Sequence, residues 1–248
     1  MKAALAVHTV SGDVEANFRA IEQMTGEAAD ADLVLFPEAA VTGLNNTGDP
    51  VHDLPLGQAI PGAVTERLGA QARARGIWLA IGLLERDGDR LYDSAILVDP
   101  TGKIRLKYRR IQPQWHGRNA DPNVYCQGSD LGKVDTPLGS FAFLLCGDLF
   151  DDGIVDRVRE LSPDWLLFPF ARCFSDGSHD QERWDTEELP EYLARVKRVG
   201  TTTLMANYLA HEDLGGGRSF GGAFVVSGDG TLIDSLPLGR SGLLSVEL

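Results

Sequence analysis

Two residues that can do covalent chemistry stand at the ends of strand-like runs far apart in the sequence. Cys146 follows the apolar run Phe141–Leu145 and is followed at once by a glycine, so a thiol is carried to a sharp turn. Glu38 follows a second apolar run, Leu33–Phe36, after a single proline. A thiol becomes a good nucleophile when a nearby base removes its proton, and a buried carboxylate can be that base. We therefore expect Cys146 and Glu38 to share one site.

Each residue also has an ordinary structural interpretation. A cysteine that ends an apolar strand can simply be packed in the core, and Glu38 could cap a turn. His116, in a long loop, is the alternative base, since Cys–His pairs are common among cysteine hydrolases. Nothing else around His116 resembles a thiol protease, so we prefer Glu38.

Composition limits the classes of protein that the chain can belong to. At 248 residues, with 43% hydrophobic and 24% charged residues, it is long enough for one large α/β domain, and we expect a single domain over residues 1–248. The formal net charge of −13 repels phosphate backbones and anionic membrane surfaces, which argues against nucleic acid and membrane partners. No apolar stretch is long enough to cross a bilayer, and the first residues lack the features of a secretory signal.

The cysteines and histidines do not predict a metal site. The three cysteines, Cys126, Cys146 and Cys173, show no CxxC spacing, and the five histidines are isolated from one another. An odd number of cysteines with no disulfide pattern fits a reducing compartment. We expect a cytoplasmic protein without a metal or other cofactor.

Strand-like and helix-like segments alternate along the chain. Apolar runs bounded by turn residues predict strands, whereas apolar residues at i, i+4 and i+7 predict helices. Turn signals at 87–89 and 99–102 predict an antiparallel ladder. Long irregular connections are expected over 42–61 and from about 110 to 135. Together these features predict a layered α/β domain with mixed strands. The strands are expected at 2–10, 33–36, 77–84, 90–98, 103–108, 141–145, 165–168, 203–206, 220–226 and 231–235, and the helices from 14, over 61–75, 154–161 and 188–199.

Several short motifs, in this order, resemble the nitrilase, or carbon–nitrogen hydrolase, superfamily. They are Phe36-Pro37-Glu38 followed by Thr42-Gly43, Gly102 leading to Lys107-Tyr108-Arg109-Arg110, Asp135-Thr136-Pro137-Leu138-Gly139, Leu145-Cys146-Gly147-Asp148, Ala206-Asn207 and the terminal hairpin. The resemblance implies an α-β-β-α sandwich with two mixed central sheets. It also implies assembly into homodimers or larger homo-oligomers, and a Glu-Lys-Cys centre that cleaves non-peptide C–N bonds.

Matched by position, Glu38 corresponds to the general base of that family and Cys146 to its nucleophile. The family lysine falls where this chain has Arg110, and Lys107 lies three residues earlier. Because strand side chains alternate between faces, Lys107 and Arg110 should point to opposite sides, and we expect Arg110 at the site with Lys107 as the fallback. By spacing, Asp121 corresponds to the second carboxylate of the family.

Three further residues are candidates for substrate binding. The backbone N–H of Gly147, just past the nucleophile, could bind an oxyanion. Arg172 follows the strand after the nucleophile and could bind a substrate carboxylate, although a surface arginine is the ordinary interpretation. Trp115, in the long loop, could line the site or simply anchor that loop.

The sequence thus predicts a hydrolase that cleaves the C–N bond of a small amide or N-carbamoyl compound through a thioester on Cys146. Because Arg110 cannot release a proton at working pH, the alternative is a nitrilase-like scaffold that binds a small ligand or a protein partner with impaired or no catalysis.

Overall fold

The computed structural model describes residues 1–28, 30–44, 47–214 and 217–248. Two six-stranded sheets form the centre of the molecule, with strand orders β12-β1-β2-β3-β4-β5 and β11-β10-β9-β8-β7-β6. The strands are β1 Lys2–Val7, β2 Leu33–Leu35, β3 Trp78–Asp87, β4 Arg90–Val98, β5 Ile104–Arg109, β6 Lys133–Thr136, β7 Gly139–Phe143, β8 Trp165–Phe170, β9 Thr202–Asn207, β10 Ala223–Val226, β11 Leu232–Leu236 and β12 Gly242–Glu247.

Helices connect the strands, and the four longest among the described residues pack against the sheets. The helices are α1 Val14–Glu27, α2 Pro50–Asp53, α3 Ala63–Arg75, α4 Asp152–Leu161, α5 Gln181–Arg183 and α6 Leu189–Val199. A 3-10 turn occupies Cys146–Phe150, a second one Leu54–Leu56, and a π-turn Trp184–Glu188.

Both sheets contain parallel and antiparallel neighbours. In the first, β2 runs parallel to β1 and β3, whereas β3, β4 and β5 form an antiparallel ladder. In the second, β7, β8 and β9 are parallel, and antiparallel strands flank them on both sides. β2 and β7 lie in different sheets, and each delivers the residues that follow it to a loop at its carboxyl end.

The core has three main parts, which lie between the two sheets, under α4 and α6, and under α1 and α3. Side chains from both sheets, among them Leu35 and Phe143, pack against one another between the sheets, and α4 and α6 extend this cluster with residues such as Val158 and Val196. A second cluster joins α1 and α3 to the outer face of the first sheet. The predicted α-β-β-α sandwich with two mixed sheets is therefore confirmed.

Two strands were not predicted from the sequence. β6 lies in what the pattern indicated to be loop, because its residues Lys133 to Thr136 are exposed or half-buried and carry no apolar run. β12, at the end of the chain, pairs antiparallel with β1. Within the predicted connection over 42–61, residues 45 and 46 lie outside the described residues, and 50–56 are helical.

Among the described residues, no helix has the length and apolar character needed to cross a membrane.

Candidate active site

Cys146 lies at the tip of a strained turn directly beyond β7. Its φ of +41° lies in the left-handed region that non-glycine residues rarely adopt, and such strain is often found at functional sites. The residue is half-buried, and its Sγ lies 3.6 Å from the carbonyl oxygen of Ala171. The thiol forms part of the wall of a cleft of about 420 Å³. The cleft is lined by Cys146, Gly147, Phe150, Arg172, Glu187, Glu188, Glu191 and Tyr192.

Glu38 is fully buried behind this cleft, in the turn after β2. The turn is tight, because Ala39 also has a left-handed backbone with φ of +44°. Strand β3 approaches it closely, since Gly82 donates its N–H to the Pro37 oxygen at 2.9 Å and accepts from the Ala40 N–H at 3.0 Å. A Cβ at position 82 would lie 2.5 Å from the Cα of Glu38, so only glycine lets the strand hold the carboxylate in this place.

Arg110 lies beside Glu38, on the side that the alternation of strand residues predicted. It follows the last residue of β5 and is only 4% exposed. Its Nη1 lies 3.2 Å from Glu38 Oε1, and its Nη2 donates to Gln112 Oε1 at 3.1 Å. Burial disfavours the guanidinium charge, but the negative charges of Cys146 and Glu38 outweigh it and raise the pKa of Arg110. Arg110 is therefore a permanent positive charge in contact with Glu38 and close to the residue that follows Cys146.

Asp93, on β4, completes the group and was missed from the sequence. It is buried, its Oδ2 lies 3.4 Å from Arg110 Nη1, and its carbonyl oxygen accepts the Arg110 N–H at 2.8 Å. Burial, followed by the charge of Glu38, raises the pKa of Asp93 well above its ordinary value. A second carboxyl group is thus present, on β4 and not at the loop residue Asp121 that the spacing suggested.

Glu38 has the electrostatic properties of a base. Burial raises its pKa to about 8, and the charge of the Cys146 thiolate is the next largest cause. The thiolate makes Glu38 more basic at the moment when Glu38 must hold the thiol proton, which favours transfer from sulfur to carboxylate.

Asp148 fixes the positions of Cys146 and Arg110 relative to each other. Its Oδ2 accepts the Leu145 N–H at 3.1 Å and the Tyr108 hydroxyl at 2.6 Å, and its Oδ1 accepts the N–H groups of Ile111 and Gln112 at 3.1 and 2.8 Å. One carboxylate therefore ties the turn that carries Cys146 to the loop that carries Arg110. The sequence offered no signal for these long-range bonds beyond the position of Asp148 in the Cys146 turn.

Gly147 is required by the position of Arg110. A Cβ at residue 147 would collide with Arg110 Nη2 and would lie 2.8 Å from Gln112 Oε1. The guanidinium therefore lies directly beside the peptide that follows the thiol. A positive charge and a backbone N–H next to a nucleophile are the elements of an oxyanion site.

Arg172 lies in the cleft wall, as predicted, but its guanidinium already has a carboxylate partner. Its Nε and Nη2 donate to Glu188 Oε2 and Oε1 at 2.9 and 2.5 Å. Glu188 ends the π-turn, a form of helix that recurs at functional sites. A substrate carboxylate would have to displace Glu188, so the predicted carboxylate-binding role of Arg172 does not follow directly from this geometry. Neither Glu188 nor Tyr192, which also lines the cleft, was predicted.

Lys107, the fallback cation, points away from the site. Its Nζ lies 2.9 Å from Glu85 Oε1, in a network that also contains Arg109. This placement agrees with the alternation of faces along β5, which puts Lys107 and Arg109 together and Arg110 on the other side.

Two loop residues are not where the sequence prediction put them. Asp121 is exposed and accepts the N–H of Asn123 at 2.9 Å, so it closes a local turn rather than serving as the second carboxylate. Trp115 is 2% exposed, donates its Nε1–H to the Cys126 oxygen at 3.2 Å and packs on Tyr125, away from the cleft lining. It anchors the loop, as its alternative interpretation held.

His116 is engaged in the same loop. Its Nδ1 lies 3.1 Å from the oxygen of Gly117, and its Nε2 lies 3.0 Å from Gln127 Nε2. Glu38, not His116, is the base candidate beside Cys146. In the part of the chain that the structure describes, no three His, Cys, Asp or Glu side chains are grouped as metal ligands would be.

Comparisons with known proteins agree with this geometry. The sequence profile of the Carbon-nitrogen hydrolase family matches residues 2–248. Among curated relatives, an aliphatic nitrilase of Sinorhizobium fredii is 32% identical over 154 residues, which are 55% of this chain and 49% of that protein. A deaminated glutathione amidase of Yersinia enterocolitica is 26% identical over 62% of this chain and 57% of its own length. The matched part thus spans about half the length of these relatives.

Solved structures match over the whole chain. A glutamine-for-glutamate variant of the amidase from Nesterenkonia sp. AN1, with acrylamide added at its active-site cysteine, is 25% identical, with a TM-score of 0.81 over 100% of this chain and 93% of that one. A carbon–nitrogen hydrolase from Helicobacter pylori has a TM-score of 0.85 at 19% identity, over 99% of this chain and 88% of its own, and shows a shared fold. With the profile match over residues 2–248, these similarities establish that the chain belongs to the carbon–nitrogen hydrolase family of the nitrilase superfamily.

Proposed function

We propose that this protein hydrolyses the C–N bond of a small amide or N-carbamoyl compound, with Cys146 as nucleophile. The observation that carries the proposal is the triad of a strained, half-buried thiol, a fully buried Glu38 with its pKa raised to about 8, and a buried guanidinium beside both. An amide is favoured because the structures similar over the whole chain include an amidase.

The first half of the reaction forms a thioester. Glu38 removes the Cys146 proton, and the thiolate attacks the carbonyl carbon. Arg110 and the N–H of Gly147 stabilise the oxyanion of the tetrahedral intermediate. When that intermediate collapses, the C–N bond breaks, and Glu38 returns the proton to the departing amine.

The second half consumes water. Glu38 removes a proton from a water molecule, the resulting hydroxide attacks the thioester carbon, and the C–S bond breaks. The proton then passes to the sulfur, the carboxylic acid leaves, and the enzyme returns to its starting state. Arg110 only needs to remain charged in both halves.

The test is ammonia release from a panel of small aliphatic amides and N-carbamoyl compounds. Cys146→Ala should abolish release, because no thioester can form. Cys126→Ala is the matched control, since this cysteine lies in the loop near Pro122, and it should leave turnover unchanged. Release that persists in Cys146→Ala would disprove the mechanism.

The alternative is a ligand-binding scaffold without turnover, and the direct contact of Arg110 with Glu38 is the observation that favours it. Iodoacetamide labelling of Cys146 across pH separates the two. An activated thiol should react well below the pH at which free cysteine reacts, whereas a slow, ordinary reaction would favour the scaffold.

Arg110→Lys refines that distinction. If the cation acts only through its charge, turnover should stay within about tenfold of wild type. Lysine keeps the positive charge, although its ammonium group offers fewer N–H donors than the guanidinium. A larger gain would mean that a proton must pass through this position and that the natural enzyme is impaired.

Family resemblance also predicts a homodimer or a larger homo-oligomer. Light scattering after size-exclusion chromatography would measure the mass, and a monomer would contradict this prediction.

A further inference from the structure

The cluster of Glu38, Asp93 and Arg110 holds two carboxyl groups against one positive charge. Glu38 and Asp93 are 0% and 1% exposed, so neither can be balanced by solvent. Both contact the same atom, Arg110 Nη1, at 3.2 and 3.4 Å. One guanidinium can neutralise one of the two negative charges, and a second unbalanced charge at this depth would be strongly disfavoured.

Each carboxyl group also has an oxygen that lacks a partner. Among the described residues, Glu38 Oε2 and Asp93 Oδ1 are buried without a hydrogen-bond partner. The two carboxyl groups lie within hydrogen-bonding reach of each other. Two ionised carboxylates are both acceptors and cannot bond, whereas a carboxylic acid beside a carboxylate supplies the missing donor. A single added proton thus satisfies both the charge balance and the hydrogen bond.

The other groups that face Asp93 do not supply this proton. Arg110 stays protonated at working pH. Asp148 already accepts four hydrogen bonds, from Tyr108, Leu145, Ile111 and Gln112, which suit an ionised carboxylate. Arg110 Nη1 lies nearer to Glu38 Oε1 than to Asp93 Oδ2, at 3.2 against 3.4 Å, and burial raises the pKa of Asp93 well above its ordinary value, so we assign the proton to Asp93.

We propose that Asp93 is a positioning residue that stays protonated and donates its O–H to Glu38, so that Glu38 remains the ionised base directed at Cys146 while Arg110 balances its charge. The inference rests on the proposed role of Glu38. Asp93 does not touch the substrate in this scheme. It orients the carboxylate and keeps the cluster at one negative charge to one positive charge.

The direct test is isotope-edited infrared spectroscopy of the Cys146→Ala variant at neutral pH. Removing the thiol leaves Asp93 and Glu38 as the pair that shares a proton, and the measurement needs no substrate. A carboxylic acid band should shift when aspartate carboxyls carry carbon-13 and should not shift when glutamate carboxyls do. It should vanish when Asp93→Asn is added.

Asp99→Asn is the matched control, because Asp99 is also nearly buried but accepts from Thr101 and Lys103 and has a lowered pKa. The band should survive this change. A band that shifts only with labelled glutamate, that persists in Asp93→Asn, or that is missing altogether would overturn the proposal. These results stand whether or not the protein hydrolyses amides, so they separate this inference from the proposed function.

A second measurement follows the reactivity of Cys146 towards iodoacetamide in the otherwise natural protein. Asparagine imitates protonated Asp93 in charge and in donor, so Asp93→Asn should keep the rate within about threefold and leave the midpoint of the pH profile unchanged. Asp93→Ala removes the donor and should lower the rate about tenfold, as expected for a lost hydrogen bond to a buried charged group. If Asp93 were ionised instead, Asp93→Asn would add a net positive charge, and the midpoint would move to lower pH.

Discussion

Two charge clusters lie on opposite faces of the same three strands, β3, β4 and β5. On one face Arg110 contacts Glu38 and Asp93. On the other face Glu85 accepts from Lys107, from Arg109 twice and from Ser94. Asp93 and Ser94 are neighbours in sequence, as are Arg109 and Arg110, and the alternation of strand residues sends each pair apart. The same strands therefore carry two clusters with different properties, one on each face.

The two clusters differ in the number of cations and other donors that each buried carboxylate has. Burial alone would raise the pKa of Glu85, but hydrogen bonds from Arg109, Ser94 and Lys107 outweigh it and lower the pKa. Glu38 has one cation to share with Asp93, and its pKa is raised to about 8. A buried carboxylate with surplus donors is a fixed ion that holds strands together. One with too few donors can take up and release a proton near neutrality.

The largest expected effect comes from removing the only cation that the site cluster contains among the described residues. Arg110→Gln should lower kcat/KM by about 10²- to 10³-fold, because one oxyanion donor and its charge are lost. The measurement is ammonia release from the amide on which the natural protein is most active. Arg109→Gln, which weakens the other cluster, is the control and should keep turnover close to wild type. Equal losses in the two variants would mean that the clusters do not differ in function.

Glu85→Gln tests the structural cluster in the same way. Lys107 and Arg109 would lose their shared partner, and we expect the free energy of unfolding to fall by about 3 kcal/mol, the lower end of the range for a broken buried ion pair. The fall should be smaller if both cations turn outward to water, since they are 36% and 23% exposed. Urea unfolding measures the change, and cysteine labelling should show an unchanged site in the folded protein. Loss of Cys146 reactivity without loss of stability would contradict the division between the faces.

The smallest effect is a pair of opposite pH dependences of stability. Asp93 has a raised pKa, so above its unfolded value of 3.8 the folded state still holds a proton that the unfolded state has lost, and its contribution to stability declines as pH rises. Glu85 has a lowered pKa, so its contribution is present above 4.5 and is lost as pH falls below that value. Urea unfolding at a series of pH values should show Asp93→Asn flattening the decline at higher pH and Glu85→Gln flattening the loss at lower pH. Identical pH profiles for the two variants would refute the assignment.

Residues at the ends of strands were easier to find from the sequence than residues whose contacts depend on the pairing register of two strands. Cys146 and Glu38 follow apolar runs, and the choice of Arg110 over Lys107 needed only the alternation of faces. The α/β layering followed from the alternation of the elements, whereas the two-sheet sandwich rested on the family resemblance.

Asp93 could not be found in this way, because it lies opposite Arg110 through an irregular hairpin. The β4–β5 register shifts at Leu97/Val98, so that Ser94 pairs with Arg109. Counted from the turn without this bulge, Arg110 would face Tyr92, and Asp93 would appear to point the other way. A single extra residue thus hid the second carboxyl group, and spacing within the loop suggested Asp121 instead.

Trp115 illustrates a different limit. A tryptophan in a long loop has the same pattern whether it lines a cleft or fills the underside of its loop. Only the tertiary contacts with Tyr125 and Cys126 distinguish the two.

The bonds made by Asp148 have a mechanical consequence. Because they join the turn of Cys146 to the loop of Arg110, thermal motion should carry sulfur and guanidinium along as one rigid body, and their separation should vary less than the position of either. The opposite cleft wall, built from the π-turn and α6, has no share in those bonds. Adaptation to substrates of different size could then proceed by reshaping that wall, while the distance between the reacting atom and its stabilising charge stays the same.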